Sequence, residues 1–248
     1  MAKIITLLSK KSESGNTTIA FNIAQILKNN QKRVLIINLG FNQTYFDILK
    51  IKSGNLKTKE VVSPFSYINY SKNLQIMFLV NNPSKTYMLE AEKYEALLRK
   101  QIEEWGGLFD FIIFDTSHTY HFINEIALKL SHQVVVIFDA NNFINNDVLN
   151  ILKDIRTIQL IKSKLEIRNV ILNRYSNKNV DHVNTLIQLK HTFDRPNLLM
   201  TLPIVKELSK LSVESLEYSL HNQWSDYTID LSGMIKNWYN HIQLPKKD

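Results

Sequence analysis

The chain has 248 residues, 44% of them apolar, and this length is sufficient for one substantial hydrophobic core. It contains no cysteine, which excludes disulfide bonds and thiolate metal sites. Its formal charge of +7 permits contact with nucleic acid or an anionic membrane but does not by itself demonstrate either.

A short apolar run at residues 4–8 predicts a buried strand. Residues 11–18, Lys-Ser-Glu-Ser-Gly-Asn-Thr-Thr, follow it and lead into an amphipathic helix predicted over residues 19–27. In this strand-loop-helix context, backbone N–H groups and a helix N-terminus can surround a phosphate. The loop carries a single glycine, Gly15, and Asn16 stands where such loops have a lysine before the threonine.

The remaining elements alternate between strands and helices. Strands are predicted at residues 32–38, 74–80, 108–116, 133–139, 166–173 and 197–203. Helical segments are predicted at residues 42–62 (with a break at 53–55), 87–105, 145–159, 178–190, 204–213 and 225–242, and a turn at 81–84. This order predicts an α/β fold: a mainly parallel twisted sheet flanked by helices on both faces, in a single domain over residues 1–248.

Two stretches carry a family resemblance. The loop at 11–18 with its helix Ile-Ala-Phe-Asn-Ile-Ala, and the strand Phe-Asp-Phe-Ile-Ile-Phe-Asp-Thr at 109–116, resemble the deviant Walker A ATPases of the ParA/MinD family, which belong to the SIMIBI class of P-loop NTPases. That family's loop reads Lys-Gly-Gly-x-Gly-Lys-Thr-Thr. In this register Lys11 matches the signature lysine, which reaches across a dimer to the partner's nucleotide.

The resemblance implies ATP and Mg²⁺ as cofactors. It places Gly15 at the last loop glycine, Thr17 at the Mg²⁺-binding hydroxyl and Thr18 at the residue after it. Asp115, which ends an apolar strand, takes the place of the Walker B acid that acts on the metal. Further along, the family's adenine-reading amide corresponds to Asn173, and Pro203 borders the base.

Four departures from the family pattern affect phosphate binding and hydrolysis. Ser12 and Glu13 replace two glycines, Asn16 replaces the phosphate-binding lysine, and Asn38 replaces the aspartate that orients the attacking water. Because an amide cannot act as a base, we expect weak or absent ATPase activity. Nucleotide binding without turnover and an empty vestigial site are both open interpretations. A third is that Lys10 or Lys11 compensates for the missing lysine.

The resemblance also implies a cellular role. We expect a cytoplasmic protein that positions or partitions a cargo, either plasmid or chromosomal DNA or a machinery. The alternative is a catalytically dead scaffold or polar-localisation protein of the TadZ/CpaE type, involved in pilus or secretion assembly. The expected partners are a second copy or an intact paralogue in a mixed dimer, and an adaptor protein. The chain begins without a signal-peptide pattern and has no run as long as a membrane span.

Two surfaces are candidates for further partners. Clustered basic residues could contact DNA phosphates without reading bases, although an ordinary solvated helix face and loop is the slightly preferred explanation. A last helix with Leu231, Met234, Ile235, Trp238 and Ile242 on one side is expected to pack on the core rather than bind a membrane. The candidate DNA contacts are Lys153, Arg156, Lys162, Lys164, Arg168, Arg174 and Lys178.

Overall fold

The computed structural model of the chain describes residues 2–39, 65–79, 87–116, 121–195, 198–209 and 212–240. Within these ranges the strands form one eight-stranded sheet. The strands are β1 Lys3–Leu8, β2 Val34–Asn38, β3 Phe65–Ser71, β4 Leu74–Leu79, β5 Phe111–Asp115, β6 Gln133–Asp139, β7 Glu166–Tyr175 and β8 Leu199–Pro203.

The strand order is β3-β4-β2-β5-β1-β6-β7-β8, and every neighbouring pair is parallel except β3 with β4. β2, β5 and β6 are buried along their whole length and β1 at every residue except Lys3, which is why the central strands read as continuous apolar runs in the sequence. β1 lies between β5 and β6 near the middle of the sheet. The predicted fold class, a mainly parallel sheet between helices, is confirmed.

Helices cover both faces of the sheet. One apolar cluster joins the first helix to the three that end the described chain, and two other clusters join the remaining helices to the opposite face. The helices are α1 Asn16–Asn29, α2 Tyr87–Trp105, α3 His121–Leu130, α4 Asn145–Ile161, α5 Val180–Thr192, α6 Val213–Leu216, α7 Tyr218–His221 and α8 Asp226–Asn240.

The structure differs from the sequence prediction in several places. β3, α3, α6 and α7 were not predicted, and the helix predicted over residues 204–213 is wrong. Among the described residues from 204 to 212, Lys206–Leu208 forms a 3-10 turn and no α-helix is present. α6 begins at Val213 because the Ser212 hydroxyl caps it by accepting from the backbone of Ser215. The predictions at residues 42–62 and 81–84 lie outside the described residues.

The last helix packs against the molecule itself, as expected. Leu231, Met234, Ile235 and Trp238 are buried in the cluster that contains α1. The indole Nε1 of Trp238 donates to Asn169 Oδ1 at 3.0 Å. Ile242, the fifth residue of the predicted face, is outside the described residues. None of the described helices has the length and apolar character needed to cross a membrane.

Candidate functional site

Polar residues collect at the carboxyl edge of the sheet, on both sides of β1. The loop after β1 lies at this edge. Asn38, Asp115 and Asp139 end β2, β5 and β6, and Asn173 lies opposite Asp139 in the β6–β7 register. Because parallel strands present their carboxyl ends at one edge, the residues predicted from separate stretches are brought together here.

Asp115 is the centre of the β5 side of this edge. Its Oδ2 accepts a hydrogen bond from Thr17 Oγ1 at 2.8 Å and another from Asn38 Nδ2 at 3.2 Å. Its Oδ1 is buried and has no hydrogen-bond partner among the described residues. Burial raises the pKa of Asp115 to about 7, against a smaller lowering by the Thr17 hydroxyl. No cationic side chain among the described residues pairs with this carboxyl group, so its charge is uncompensated.

The N-terminus of α1 presents unpaired donors beside Asp115. Gly15 precedes the helix with φ 96°, a left-handed conformation that favours glycine. The backbone N–H groups of residues 15–18 donate to no acceptor in the part of the chain that the structure describes. Free N–H groups at a helix N-terminus attract anions such as phosphate.

Gly15 is also required by a close neighbour. A Cβ atom on Gly15 would lie 2.5 Å from Asn173 Nδ2, so the Asn173 side chain or the loop would have to move. The same Nδ2 donates to the carbonyl oxygen of Ser14 at 3.0 Å. Asn173, predicted to read an adenine edge, therefore has its amide nitrogen engaged by the loop. Pro203 ends β8, three strands away from β1 at the same edge.

Asn16 turns its side chain towards the ends of β1 and β5. Its Nδ2 lies 3.5 Å from the carbonyl oxygens of Leu7 and Thr116, at the limit of hydrogen bonding. Its Oδ1 is buried and has no partner among the described residues. The position assigned to the phosphate-binding lysine thus contributes a neutral amide. Thr18, two residues on, lies inside α1, and its carbonyl accepts from Asn22.

The two loop lysines are engaged on the other side of β1. Lys10 Nζ donates to Asp154 Oδ2 on α4. Lys11 Nζ donates to the carbonyl of Asn142 and lies 3.8 Å from Asp147 Oδ2. In this arrangement both ammonium groups are held by the region around α4 of their own chain.

The sequence analysis missed an ion pair that anchors the loop. Arg174 Nη1 pairs with Asp139 Oδ2 at 3.0 Å, and its Nη2 donates to the Glu13 carbonyl at 2.8 Å. Glu13 and Arg174 both have positive φ, 60° and 56°. The available signal was that Asp139, like Asp115, ends a buried strand at this edge.

Some of the candidate DNA-contacting residues form hydrogen bonds within the protein, and others are exposed. Lys162 Nζ donates to the carbonyls of Lys129 and Ser131 at 3.0 and 2.6 Å, and Arg168 Nη2 donates to the Asn237 carbonyl at 2.5 Å. Arg174 is committed to the loop. The four exposed members of the predicted set are Lys153, Arg156, Lys164 and Lys178.

The sheet order, the loop between β1 and α1, and the Thr17–Asp115 bond define a P-loop NTPase fold of the ParA/MinD-like class. A family model described as "AAA domain" matches residues 2–167, more than half of the chain, and the chain belongs to this family. No curated protein sequence matches the chain.

Solved structures share this fold at low sequence identity. Cobyrinic acid a,c-diamide synthase from Mycobacterium smegmatis, with a bound ATP analogue and magnesium, matches with a TM-score of 0.73 and 14% identity over 99% of both chains. A plasmid partition protein from Borrelia burgdorferi matches at 0.66 and 18%, over 97% of this chain and 99% of that one. The septum site-determining protein MinD from Pyrococcus horikoshii, complexed with Mg-ADP, matches at 0.67 and 16% over 100% of both.

Proposed function

We propose that the protein binds ATP with Mg²⁺ at residues 11–18 and hydrolyses it slowly or not at all. The observation that carries this proposal is the 2.8 Å hydrogen bond from Thr17 to Asp115 beside the unpaired N–H groups of residues 15–18. Together they offer a phosphate cradle and hard oxygen donors in one place.

The donor set fits Mg²⁺. Thr17 supplies a hydroxyl oxygen and Asp115 a carboxylate whose Oδ1 has no partner in the described chain, and Mg²⁺ prefers oxygen ligands. The metal would supply positive charge beside the β- and γ-phosphates. Asn173 and Pro203 would border the base end, and Gly15 would allow the close approach of the loop to phosphate.

Turnover is expected to be weak because two functional groups are missing. The Asn38 amide donates to Asp115 and cannot accept a proton from water. Asn16 gives no positive charge to the transferring phosphoryl group. Lys10 and Lys11 compensate only if they leave their partners near α4.

For the cell, we propose a cytoplasmic, single-domain ParA/MinD-like protein that positions or partitions a cargo. Its fold relatives include proteins named for plasmid partition and septum site determination, which supports this role. It would work as a homodimer or as a mixed dimer with an intact paralogue, together with an adaptor. Lys153, Arg156, Lys164 and Lys178 are the exposed members of the predicted DNA-contacting set, and we propose Lys164 and Lys178 for non-specific DNA contact.

The second candidate is a catalytically dead scaffold or polar-localisation protein of the TadZ/CpaE type. The engagement of Lys11 by Asn142 and Asp147 of its own chain favours this alternative. Assays of ATP hydrolysis and of nucleotide-dependent dimerisation distinguish the two candidates. A scaffold shows neither ATP hydrolysis nor nucleotide-dependent dimerisation, whereas a positioning protein dimerises with nucleotide.

Titration calorimetry with ATP and Mg²⁺ tests nucleotide binding directly. The unmutated chain should bind, and Asp115→Ala should lose at least about tenfold in affinity because a charged ligand contact is removed. Asp110→Ala is the matched control, since Asp110 pairs with Arg33 at the other end of the same strand. Absence of binding at millimolar nucleotide would overturn the proposal.

A further inference from the structure

Two exposed helix surfaces of opposite charge lie on opposite sides of the sheet. α8 packs in the cluster that contains α1, and α4 packs in the cluster on the other side. We call residues Trp224, Asp226, Ile229 and Asp230 the acidic face. The basic face is formed by Leu149, Lys153, Arg156 and Leu160.

The acidic face surrounds the start of α8. Trp224 is 89% exposed and Ile229 is 51% exposed, which is unusual for such large apolar side chains. Asp226 and Asp230 are four residues apart, so they share one side of the helix with Ile229. Neither carboxylate forms an ion pair within the described residues. Burial, and then the nearby Asp226 charge, raises the pKa of Asp230.

The basic face runs along α4. Leu149 is 65% exposed and Leu160 is 90% exposed. Lys153 and Arg156 lie between them, and spacings of four, three and four residues put all four on one side of the helix. Both cations are exposed, and across the described ranges neither has an ion-pair partner.

The composition of the basic face favours a protein over DNA as its occupant. Phosphate contacts use the cations but leave exposed leucines in water, whereas protein interfaces bury apolar anchors inside a charged rim. The acidic face has the matching chemistry: two carboxylates and two apolar side chains, one of them a tryptophan, a residue enriched at the centres of interfaces.

We propose that the acidic face of one copy binds the basic face of a second copy. The two faces lie on opposite sides of one sheet and cannot meet within a single chain. Each bound copy therefore keeps one face free, and copies associate head to tail. This contact needs no nucleotide, so it is independent of the proposed function and of any nucleotide-dependent dimer.

Sedimentation of the nucleotide-free protein over a range of concentrations, at low salt, tests the contact. Two charge reversals are compared: Asp226→Lys with Asp230→Lys, and Lys153→Glu with Arg156→Glu. Each variant alone should associate at least about tenfold more weakly than the unmutated chain, because like charges then face each other. An equimolar mixture should associate again, since every contact between unlike variants pairs opposite charges.

Matched controls place the same changes elsewhere on the surface. Glu103→Lys on α2 and Lys190→Glu on α5 should leave association unchanged, because both positions are exposed and outside the two faces. Trp224→Ser should weaken association at least about tenfold with no change in thermal midpoint, since this side chain is almost fully in solvent.

Three results would overturn the proposal. The unmutated protein could sediment as a monomer at every concentration, or the mixed variants could stay monomeric. In the third result, none of the three proteins self-associates. A DNA duplex then binds the unmutated chain and the acidic-face variant equally, and it does not bind the basic-face variant. That result would assign the basic face to nucleic acid.

Discussion

The polar groups on the two sides of β1 differ in whether they have partners. On the side of β6 and β7, charges are paired: Arg174 with Asp139, Lys10 with Asp154, and Lys11 with Asp147. Towards β5 and β2, the buried atoms Asp115 Oδ1, Asn38 Oδ1 and Asn16 Oδ1 have no partner among the described residues.

This difference distinguishes a supporting region from a binding region. Buried polar atoms are nearly always hydrogen-bonded in folded proteins, and exceptions concentrate at functional sites. The paired side fixes the loop, because Arg174 also holds the Glu13 carbonyl. The unpaired side is where a ligand would add the missing contacts. Substitutions on the first side should therefore act on stability, and those on the second mainly on binding.

Arg174→Met should have the largest effect. It removes the cation from the Asp139 carboxylate, which is only 2% exposed and keeps hydrogen bonds from Asn141 and Asn142. Because the Arg174 side chain is 26% exposed, we expect a loss at the lower end of the about 3–5 kcal/mol that breaking a fully buried pair costs. The free energy of unfolding from urea denaturation measures this. Arg33→Met is the control, because its pair with Asp110 is exposed and screened by solvent, so its loss should lower the free energy of unfolding much less. If both variants lose the same free energy of unfolding, the two ion pairs do not differ in their contribution to stability.

Gly15→Ala should lower the free energy of unfolding by about 1–3 kcal/mol and weaken nucleotide binding. The residue has φ 96°, and the new Cβ would lie 2.5 Å from Asn173 Nδ2. Urea denaturation and calorimetry give the two readouts. Gly107→Ala is the matched control, since nothing lies within 4 Å of a Cβ at that position. A fully stable Gly15→Ala variant would show that the loop relaxes without cost.

Asn16→Lys should raise ATP affinity by about one to two orders of magnitude, because it adds a cation beside the phosphates. Calorimetry with ATP and Mg²⁺ measures the gain. Gln188→Lys, on the exposed side of α5, adds the same charge far from the loop and should change nothing. If ATP affinity rises equally in both variants, the cause is the added net charge and not the position of the lysine.

Asp115→Asn should stabilise the protein at pH 8 while it weakens Mg-ATP binding at least about tenfold. The folded-state pKa of Asp115, about 7, lies above the ordinary 3.8, so stability is lost as pH rises between these values. The amide avoids this loss, and we expect a gain of about 1 kcal/mol, or about 2–4 °C in thermal midpoint. The gain should vanish below about pH 4, where the unfolded carboxyl group is also protonated.

Asp110→Asn provides a control of opposite sign. The hydrogen bond from Arg33 lowers the pKa of Asp110, so its carboxylate contributes stability that is present above the unfolded pKa and lost as pH falls. This variant should be slightly less stable than the unmutated chain at pH 8. A pH-independent gain for Asp115→Asn would mean that the charge of Asp115 is not what destabilises the fold.

The sequence by itself determined the order and type of most elements and the residues at the strand ends. Continuous apolar runs identified the buried parallel strands, and parallel strands must present Asn38, Asp115 and Asn173 at one edge. The phosphate-type loop, its three departures from the family pattern and the further departure at Asn38 were also readable from the sequence alone. These features are local, because each depends on a few consecutive residues.

Only the tertiary structure decided which side chains pair. It assigned Arg174 to Asp139 and the Glu13 carbonyl, and it separated seven basic residues, close in sequence, into structural and exposed ones. β3 was missed because its strand state depends on antiparallel pairing with β4 at the sheet edge. Periodicity reports that a segment is buried, whereas its partners come from distant parts of the chain, and no local pattern encodes them.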